Sequence, residues 1–326
     1  MVIEMNLKSQ VLNKLEKNRG TFISGNEMSK EFFVSRNAVW KAIKSLKDDG
    51  YSIASVTNKG YMLSLKTDIL SVEGISKYLE YPLKVKVYDE IESTNKCLKE
   101  LATNGAKEGT VIVSKMQTSG RGRLGKSFYS PDDTGSYFSI LLKPKISAED
   151  SLKLTVMAAV AVAKTVEKYS NSNVQIKWVN DIYVDSKKVC GILTEGSISM
   201  ENGGLDYAIV GIGINILPPK NGFPNDIKNI ATSIFTNENI IEDAKNKITA
   251  DILNNFIHLY KSDSIDYIND YRNRSYLNGK PINIIRFDET IPATAVEIDK
   301  NCHLVVKMQD GKIQTLSSGD VSVRII

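Results

Sequence analysis

The chain has 326 residues, too many for one ordinary core, and its 42% hydrophobic and 25% charged residues are those of a globular protein of two or three domains. No apolar run approaches the roughly 18–20 residues of a membrane helix, and the opening MVIEMNLKSQ carries an acid and no long apolar stretch, which argues against a signal peptide and predicts a cytoplasmic protein. The net charge of +4 is concentrated in residues 1–65, which hold ten lysines and arginines against six acids, while three scattered cysteines (Cys97, Cys190, Cys302) and two histidines (His258, His303) disfavour a disulfide framework, a thiolate zinc site and a histidine triad.

Residues 7–19 read as a helix, with Val11, Leu12 and Leu15 at helical spacing. After Gly20 and Gly25, residues 26–33 form a short second helix. Ser35 caps a third, in which Val39, Ala42, Ile43 and Leu46 make one apolar stripe. Residues 51–57 and 60–65 are strand-like and joined through Asn58, Lys59 and Gly60, where Asn and Gly accept the positive φ of a tight hairpin. Three helices and a hairpin outline a winged helix-turn-helix. Arg36, Asn37, Trp40, Lys41 and Lys44 avoid the apolar stripe of the third helix, and Arg, Asn and Lys bond phosphates and base edges, which predicts DNA binding. The competing reading is a helical domain docked on its neighbour, with Trp40 packed.

Residues 66–82 read as a linker, with a short helix over 72–81 ended by Pro82. From Leu83, strand-like runs at 84–88, 110–116, 136–142, 174–178, 182–184, 188–194 and 207–214 alternate with helix-like runs at 94–104, 148–169 and 241–261. That is the pattern of a mixed sheet covered by helices, and the Ala- and Val-rich run from Ala148 is predicted to be buried. Short strands at 282–287, 291–298, 304–307, 312–317 and 321–325 predict a small barrel. The expected class is α+β: a winged helix-turn-helix over 1–65, a linker over 66–82, a catalytic domain over 83–274 and a C-terminal barrel over 275–326.

Four motifs carry chemistry. The stretch from Gly120 to Ser127, GRGRLGKS, satisfies the phosphate-loop pattern GxxxxGK[ST], but that loop must open a helix, and Phe128-Tyr129-Ser130-Pro131 with Gly135 beyond argue against one. Arginines alternating with glycines still suit a phosphate or carboxylate, because the backbone approaches closely while guanidinium groups converge; a flexible solvated loop is the alternative. Lys177-Trp178-Val179-Asn180-Asp181 gathers a lysine, an amide and a carboxylate where strand becomes loop, either as a site or as a salt-bridged turn. Gly211-Ile212-Gly213-Ile214-Asn215 leaves one strand face bare for a flat ligand, unless the glycines mark a bulge. Glu92-Ser93-Thr94-Asn95 stands at a helix start, where Ser93 or Thr94 can also serve as cap.

In this order, ESTN (92–95), QTSGRGRLGKSFYSP (117–131), KWVND (177–181), KKVCGILTE (187–195) and GIGIN (211–215) resemble the biotin–protein ligases, over essentially the whole chain. The N-terminal unit is similar to that of the bifunctional subclass, which also represses biotin genes. The resemblance implies a class II synthetase-like catalytic fold and an SH3-like barrel. It implies an ATP-dependent ligase that forms biotinyl-5'-AMP and transfers biotin to a lysine of a biotin carboxyl carrier protein. ATP with Mg²⁺ and biotin are then substrates, no cofactor is tightly bound, and a homodimer reads operator DNA. Ser93, Thr94, Asn95 and Gln117 would line the biotin ureido pocket. Arg121, Gly122 and Arg123 would close over biotin and adenylate, with Arg123 near the reacting phosphate. Lys188 would reach the carboxylate and the anhydride. Lys177, Asn180 and Asp181 would lie near nucleotide and metal, with Gly211, Gly213 and Asn215 on the adenylate side. Arg123, Lys188, Lys177 and Asp181 are the catalytic candidates, and Asp181 either orients or deprotonates the acceptor amine or serves the metal.

Three positions depart from the family pattern. Val179 replaces a proline, which predicts a less rigid turn. Phe128 replaces a tryptophan that covers the nucleotide, leaving a smaller stacking face. Phe33 stands where the helix-turn-helix commonly has glycine. Two other readings remain at this level: a lipoate or octanoyl ligase, against which the RGRLG loop and the barrel argue, and a ligand-sensing transcription factor without ligase activity, against which retention of both arginines, both lysines and Asp181 argues.

Overall fold

The computed structural model describes residues 6–170, 172–198, 203–236, 240–262, 264–286, 289–317 and, as backbone, 321–325. The chain divides into two compact units, one of residues 1–80 with 240–250, the other of residues 81–239 with 251–326.

The first unit contains α1 (Leu7–Lys17), α2 (Gly25–Glu31), α3 (Arg36–Asp48), β1 (Ile53–Val56), β2 (Gly60–Leu63) and α4 (Val72–Ser76). Side-chain caps start the first three helices: Asn6 accepts from Ser9 N, Ser24 from Asn26 N, and Ser35 from Ala38 N, as expected of that serine. The apolar faces of the three helices and the hairpin close one core around Val11, Leu15, Met28, Val39, Ile43, Leu46 and Leu63. The hairpin is antiparallel, with Ile53 opposite Leu63 and Val56 opposite Gly60. Phe33 has φ 55°, the left-handed region that a glycine would occupy without strain, and its side chain is 95% exposed. Residues 66–80 pack within this unit. Their helix stops at Ser76 rather than running to Tyr81, and Lys77 enters a buried cluster of charges. Lys77 Nζ lies 2.5 Å from Glu16 and 2.8 Å from Asp243, and Arg19 lies 2.7 Å from Glu16 and 2.9 Å from Asp243.

The second unit contains β3 (Lys84–Ile91), α5 (Thr94–Thr103), β4 (Thr110–Gln117), β5 (Gly135–Leu142), α6 (Ser151–Ser170), β6 (Val174–Lys177), β7 (Asp181–Val184), β8 (Lys187–Ile198) and β9 (Leu205–Asn215). α7 (Ala244–Lys261) follows, its residues 244–250 belonging to the first unit, and then α8 (Asp266–Asn273). The seven strands form one mixed sheet in the order β3-β4-β5-β9-β8-β7-β6, parallel only between β3 and β4. β5 is buried along its whole length, as a central strand covered on both faces must be. α5 packs Leu98 and Ala102 on Ile112, Leu141 and Ile209. α6 meets the alternate residues of β8 on the other face, where Thr155 and Thr194 share a hydrogen bond of 2.7 Å. The predicted burial of the Ala- and Val-rich helix holds, from Leu152 to Val166.

The C-terminal strands are β10 (Pro281–Arg286), β11 (Glu289–Ile298), β12 (Leu304–Met308), β13 (Ile313–Leu316) and β14 (Val321–Ile325). Where the sequence predicts a small barrel, they form a small five-stranded antiparallel sheet ordered β13-β12-β11-β10-β14, with an irregularity between Ala295 and Glu297. Phe287, the end of the strand expected over 282–287, lies outside the described residues. No helix among the described residues is long and apolar enough to cross a membrane.

Candidate functional site

The turn between β3 and α5 begins the site. Ser93 occupies the N-cap position of α5, but its hydroxyl makes no capping bond. The cap comes from β4, where Gln117 Oε1 accepts from Thr94 N at 2.8 Å and lies 3.2 Å from Thr94 Oγ1, while Gln117 Nε2 donates to Ser130 Oγ at 3.0 Å. Ser139, on β5, donates to Asn95 Oδ1 at 2.6 Å, with Thr94 Oγ1 2.7 Å away. The Asn95 amide then donates to Glu195 Oε2 at 2.7 Å and to the Leu193 carbonyl at 3.2 Å. This buried network holds Thr94, Asn95 and Gln117 in one orientation each. Sequence reasoning missed Ser130, Ser139 and Glu195. Ser139 sits in a run legible only as a strand, and Glu195 closes a quoted motif without any local sign of its partner 100 residues away.

The arginine–glycine loop makes a single 3-10 turn over Arg123–Gly125 and then runs extended, so no helix follows it and the phosphate-loop pattern is coincidental. Bonds from Gly122 N to the Lys126 carbonyl (2.7 Å) and from Phe128 N to the Gly120 carbonyl (2.8 Å) fold it back on itself. Arg121 is exposed and 3.5 Å from Glu195. Arg123 is half-buried, donates to Asn180 Oδ1 at 3.4 Å, and has its pKa lowered from the ordinary guanidinium value by burial, against the opposing pull of Asp181.

KWVND is the turn between β6 and β7, where Lys177 and Asp181 are cross-strand partners. Lys188 Nζ lies 2.7 Å from Asp181 Oδ1, an ion pair whose angles fall short of a hydrogen bond. Asn180 donates to the Ile192 carbonyl at 2.8 Å. The turn is tied from outside: the Trp178 indole donates to the Cys302 carbonyl at 3.0 Å, and the Tyr271 hydroxyl donates to the Val179 carbonyl at 3.0 Å. The absence of proline at Val179 therefore does not leave the turn untethered.

Gly191 on β8 pairs with Gly213 on β9, and Leu193 with Gly211. The bared strand face is real but not open. The Phe128 ring lies against it so closely that a Cβ at Gly213 would stand 2.5 Å from Cε1, and a Cβ at Gly211 would stand 2.0 Å from Asn95 Oδ1. In this structure Phe128 and Asn95 occupy the room these glycines leave. Lys188 Nζ sits 5.8 Å from the centre of the same ring.

A cleft of about 200 Å³ joins these parts. Ser93, Thr94, Asn95, Gln117, Arg121, Gly122, Arg123, Phe128, Lys177, Asn180, Asp181, Lys188, Gly211 and Gly213 all line it. Asn215 does not; its amide donates to the Thr232 carbonyl at 3.0 Å. Cys190 is beside the cleft but fully buried, and burial pushes its thiol far above the ordinary range, so it is no nucleophile. Among the described residues no group of three or more His, Cys, Asp or Glu side chains could hold a metal. In the first unit, Arg36, Asn37, Trp40, Lys41 and Lys44 are all exposed on α3, with Lys44 Nζ 5.8 Å from the Trp40 ring. Trp40 is 50% exposed, which removes the reading of it as a packed core residue.

A cleft lined by Arg121, Arg123, Lys177 and Lys188 on a mixed sheet is joined in one chain to a helix-turn-helix unit, the arrangement of a ligase that also carries a DNA-reading domain, and the comparisons give its type. Residues 87–215 match the model of the biotin/lipoate A/B protein ligase family, residues 8–62 an HTH domain, and residues 278–324 the biotin protein ligase C terminal domain. The bifunctional ligase/repressor BirA of Bacillus subtilis (strain 168) is 38% identical over 70% of this chain and 70% of its own length. That of Escherichia coli (strain K12) is 26% identical over 94% of each. Biotin protein ligase from Aquifex aeolicus, solved in complex with biotin and ATP, shares the fold with a TM-score of 0.61 at 27% identity, over 74% of this chain and 99% of that one. The chain belongs to the bifunctional ligase/repressor family.

Proposed function

We propose that this chain joins biotin to a lysine of a biotin carboxyl carrier protein through biotinyl-5'-AMP, and that the same adenylate makes it a repressor of transcription. The observation that carries the catalytic half is the Lys188–Asp181 pair, 2.7 Å apart inside the cleft that Arg121 and Arg123 also line. The biotin carboxylate attacks the α-phosphorus of ATP in line, and pyrophosphate leaves. Both reactants are anions, so positioning and positive charge do the work. Mg²⁺ enters as part of the ATP substrate. Lys188 exchanges Asp181 for the biotin carboxylate, Arg123 takes the reacting phosphate, and Lys177 and Asn180 hold the nucleotide. Thr94, Asn95 and Gln117 hold the ureido group. In the second step the acceptor amine attacks the anhydride, AMP departs, and Asp181, released from Lys188, receives the amine proton.

For repression, the winged helix-turn-helix of residues 1–65 presents Arg36, Asn37, Trp40, Lys41 and Lys44 to operator DNA, in a cytoplasmic homodimer favoured by the adenylate. Acceptor protein consumes the adenylate and so withdraws the corepressor. Residues 66–82 join this reader to the catalytic domain of residues 83–274, and residues 275–326 form an SH3-like barrel.

The test is incubation with ATP, Mg²⁺, labelled biotin and a carrier domain. Label on the carrier lysine is expected, with lipoate at equal concentration failing to compete; no label, or preference for lipoate, rejects the reading. Arg123→Ala is expected to form the adenylate slowly or to release it, and wild-type formation and retention in that variant would remove Arg123 from the mechanism. Operator binding indifferent to biotin plus ATP would remove the regulatory half.

A further inference from the structure

Gly191, Leu193 and Glu195 alternate along β8 and share one face of the sheet. The first two line the cleft, and Glu195 stands next in the row, outside the lining. Its two carboxylate oxygens go to two different parts of the site. Oε2 accepts from the Asn95 amide at 2.7 Å, and Oε1 lies 3.5 Å from an Arg121 guanidinium nitrogen. Asn95 and Arg121 both line the cleft, one from the start of α5 and the other from the arginine–glycine loop. One side chain that reaches no ligand itself therefore touches both the polar pocket and the loop beside it.

The two contacts differ in kind. Ser139 donates to Asn95 Oδ1, and the Asn95 amide hydrogens go to the Leu193 carbonyl and to Glu195. An amide turned end over end would set its oxygen against two acceptors, so an acceptor-only group at position 195 fixes which end of Asn95 faces Ser139. The Arg121 contact is longer than a charge-assisted hydrogen bond, and the arginine is half-exposed, so the attraction there is coulombic, modest and screened by salt. It has a place to act: the bonds from Gly122 N and Phe128 N close the loop on itself, whereas the Arg121–Glu195 pair crosses from the loop to β8. We propose that Glu195 is a positioning residue with two separable roles. Through Asn95 it sets the donor and acceptor pattern of the pocket, and through Arg121 it draws the arginine–glycine loop toward the cleft. The first role rests on the reading of that pocket as the biotin site, and the second does not.

Two variants of the full chain separate the roles. Glu195→Gln keeps an accepting oxygen for Asn95 and loses the charge; Glu195→Ala loses both, and Glu195→Met, of the parent's length and without an oxygen, takes its place if the alanine variant does not fold. The first readout needs no ligand: the rate at which trypsin cuts the loop after Arg121, Arg123 or Lys126. At low salt Glu195→Gln should be cut about threefold faster than the parent, the worth of a half-exposed pair. The excess should vanish near 1 M salt, where the Debye length is roughly 3 Å. Cutting at the parent's rate in low salt, or an excess that persists in high salt, overturns the loop role. The second readout is equilibrium dialysis of labelled biotin. Glu195→Gln should bind within about twofold of the parent, and the variant without an oxygen about tenfold more weakly, as for a lost buried hydrogen bond. Parent affinity in that variant, or equal weakening in both, overturns the pocket role. A parent chain that binds no biotin contradicts the ligase reading and takes the pocket role with it, while the trypsin result still decides the loop role.

Discussion

Two residues show how much a single backbone position decides. Phe33 carries a bulky side chain at φ 55° and gains nothing from it, since the ring is exposed. Relieving the left-handed strain should outweigh the extra freedom glycine has in the unfolded chain, so Phe33→Gly should stabilise the winged unit by about 1 kcal/mol, read as a raised denaturation midpoint at unchanged slope. A lowered midpoint would mean the ring packs on something. At Gly213 the argument runs the other way. A methyl there meets Phe128 at 2.5 Å, and the ring must leave. Gly213→Ala should keep its helix content and melt within a few degrees of the parent, yet form adenylate at least about tenfold more slowly. Wild-type rates would show that the strand face takes no part. The sequence showed that glycines alternate here, but not what lies on them, because Phe128 is 85 residues away and only the fold of the loop brings it back.

At the scale of elements, β5 and the hairpin of β6 and β7 were legible from apolar runs and turn residues, whereas the partner that fixes each was not. α5 is capped by Gln117, a strand residue 23 positions later, rather than by Ser93. Gln117→Ala should therefore do two things at once: remove about 1 kcal/mol from a cap and free Thr94 from its fixed orientation. The expected signature is a raised KM for biotin with a smaller change in kcat, and Gln117→Glu, which keeps the accepting oxygen, should restore the stability but not the KM. Recovery of both by the carboxylate would make the residue only a cap. The charge cluster of the first unit was equally hidden. Glu16 and Arg19 are three apart on paper, an unremarked pair, but Asp243 joins them from far down the chain. Asp243→Ala leaves two buried cations short of one carboxylate and should cost roughly 3–5 kcal/mol, seen as loss of the winged unit's cooperative unfolding. A loss below about 1 kcal/mol would show that water replaces the carboxylate.

For the molecule as a whole, the order of the parts was readable and the folding units were not, since hydrophobic periodicity carries no information about which distant segments share a core. Residues 240–250 belong with the winged unit although more than 150 residues separate them from it in the chain. Asp68 makes this testable by pH. Its Oδ1 accepts from Lys245 N at 2.9 Å, its Oδ2 is buried without a hydrogen bond, and burial holds its carboxyl above the usual range against the opposing charge of Lys245. The folded state thus binds this proton more tightly than the unfolded chain. That preference favours the fold below the ordinary carboxylate range and is withdrawn as the pH rises through the raised value. Asp68→Asn should flatten that part of the stability–pH curve and make the unit at least as stable as the parent at neutral pH; an unchanged curve would mean Asp68 titrates normally.

The Phe128 ring on Gly191 and Gly213 also sets a population problem. Any flat group that uses that face competes with a tethered side chain whose effective concentration is fixed by the loop, so the measured affinity is the intrinsic one multiplied by the fraction of molecules in which the ring is elsewhere. A fragment lying on the two glycines should consequently bind Phe128→Ala more tightly than the parent, even as that variant loses the ring's cover for the reaction. Selection acting on this chain could then tune its sensitivity to ligand through the size of one aromatic side chain, without altering any group that touches the reacting atoms.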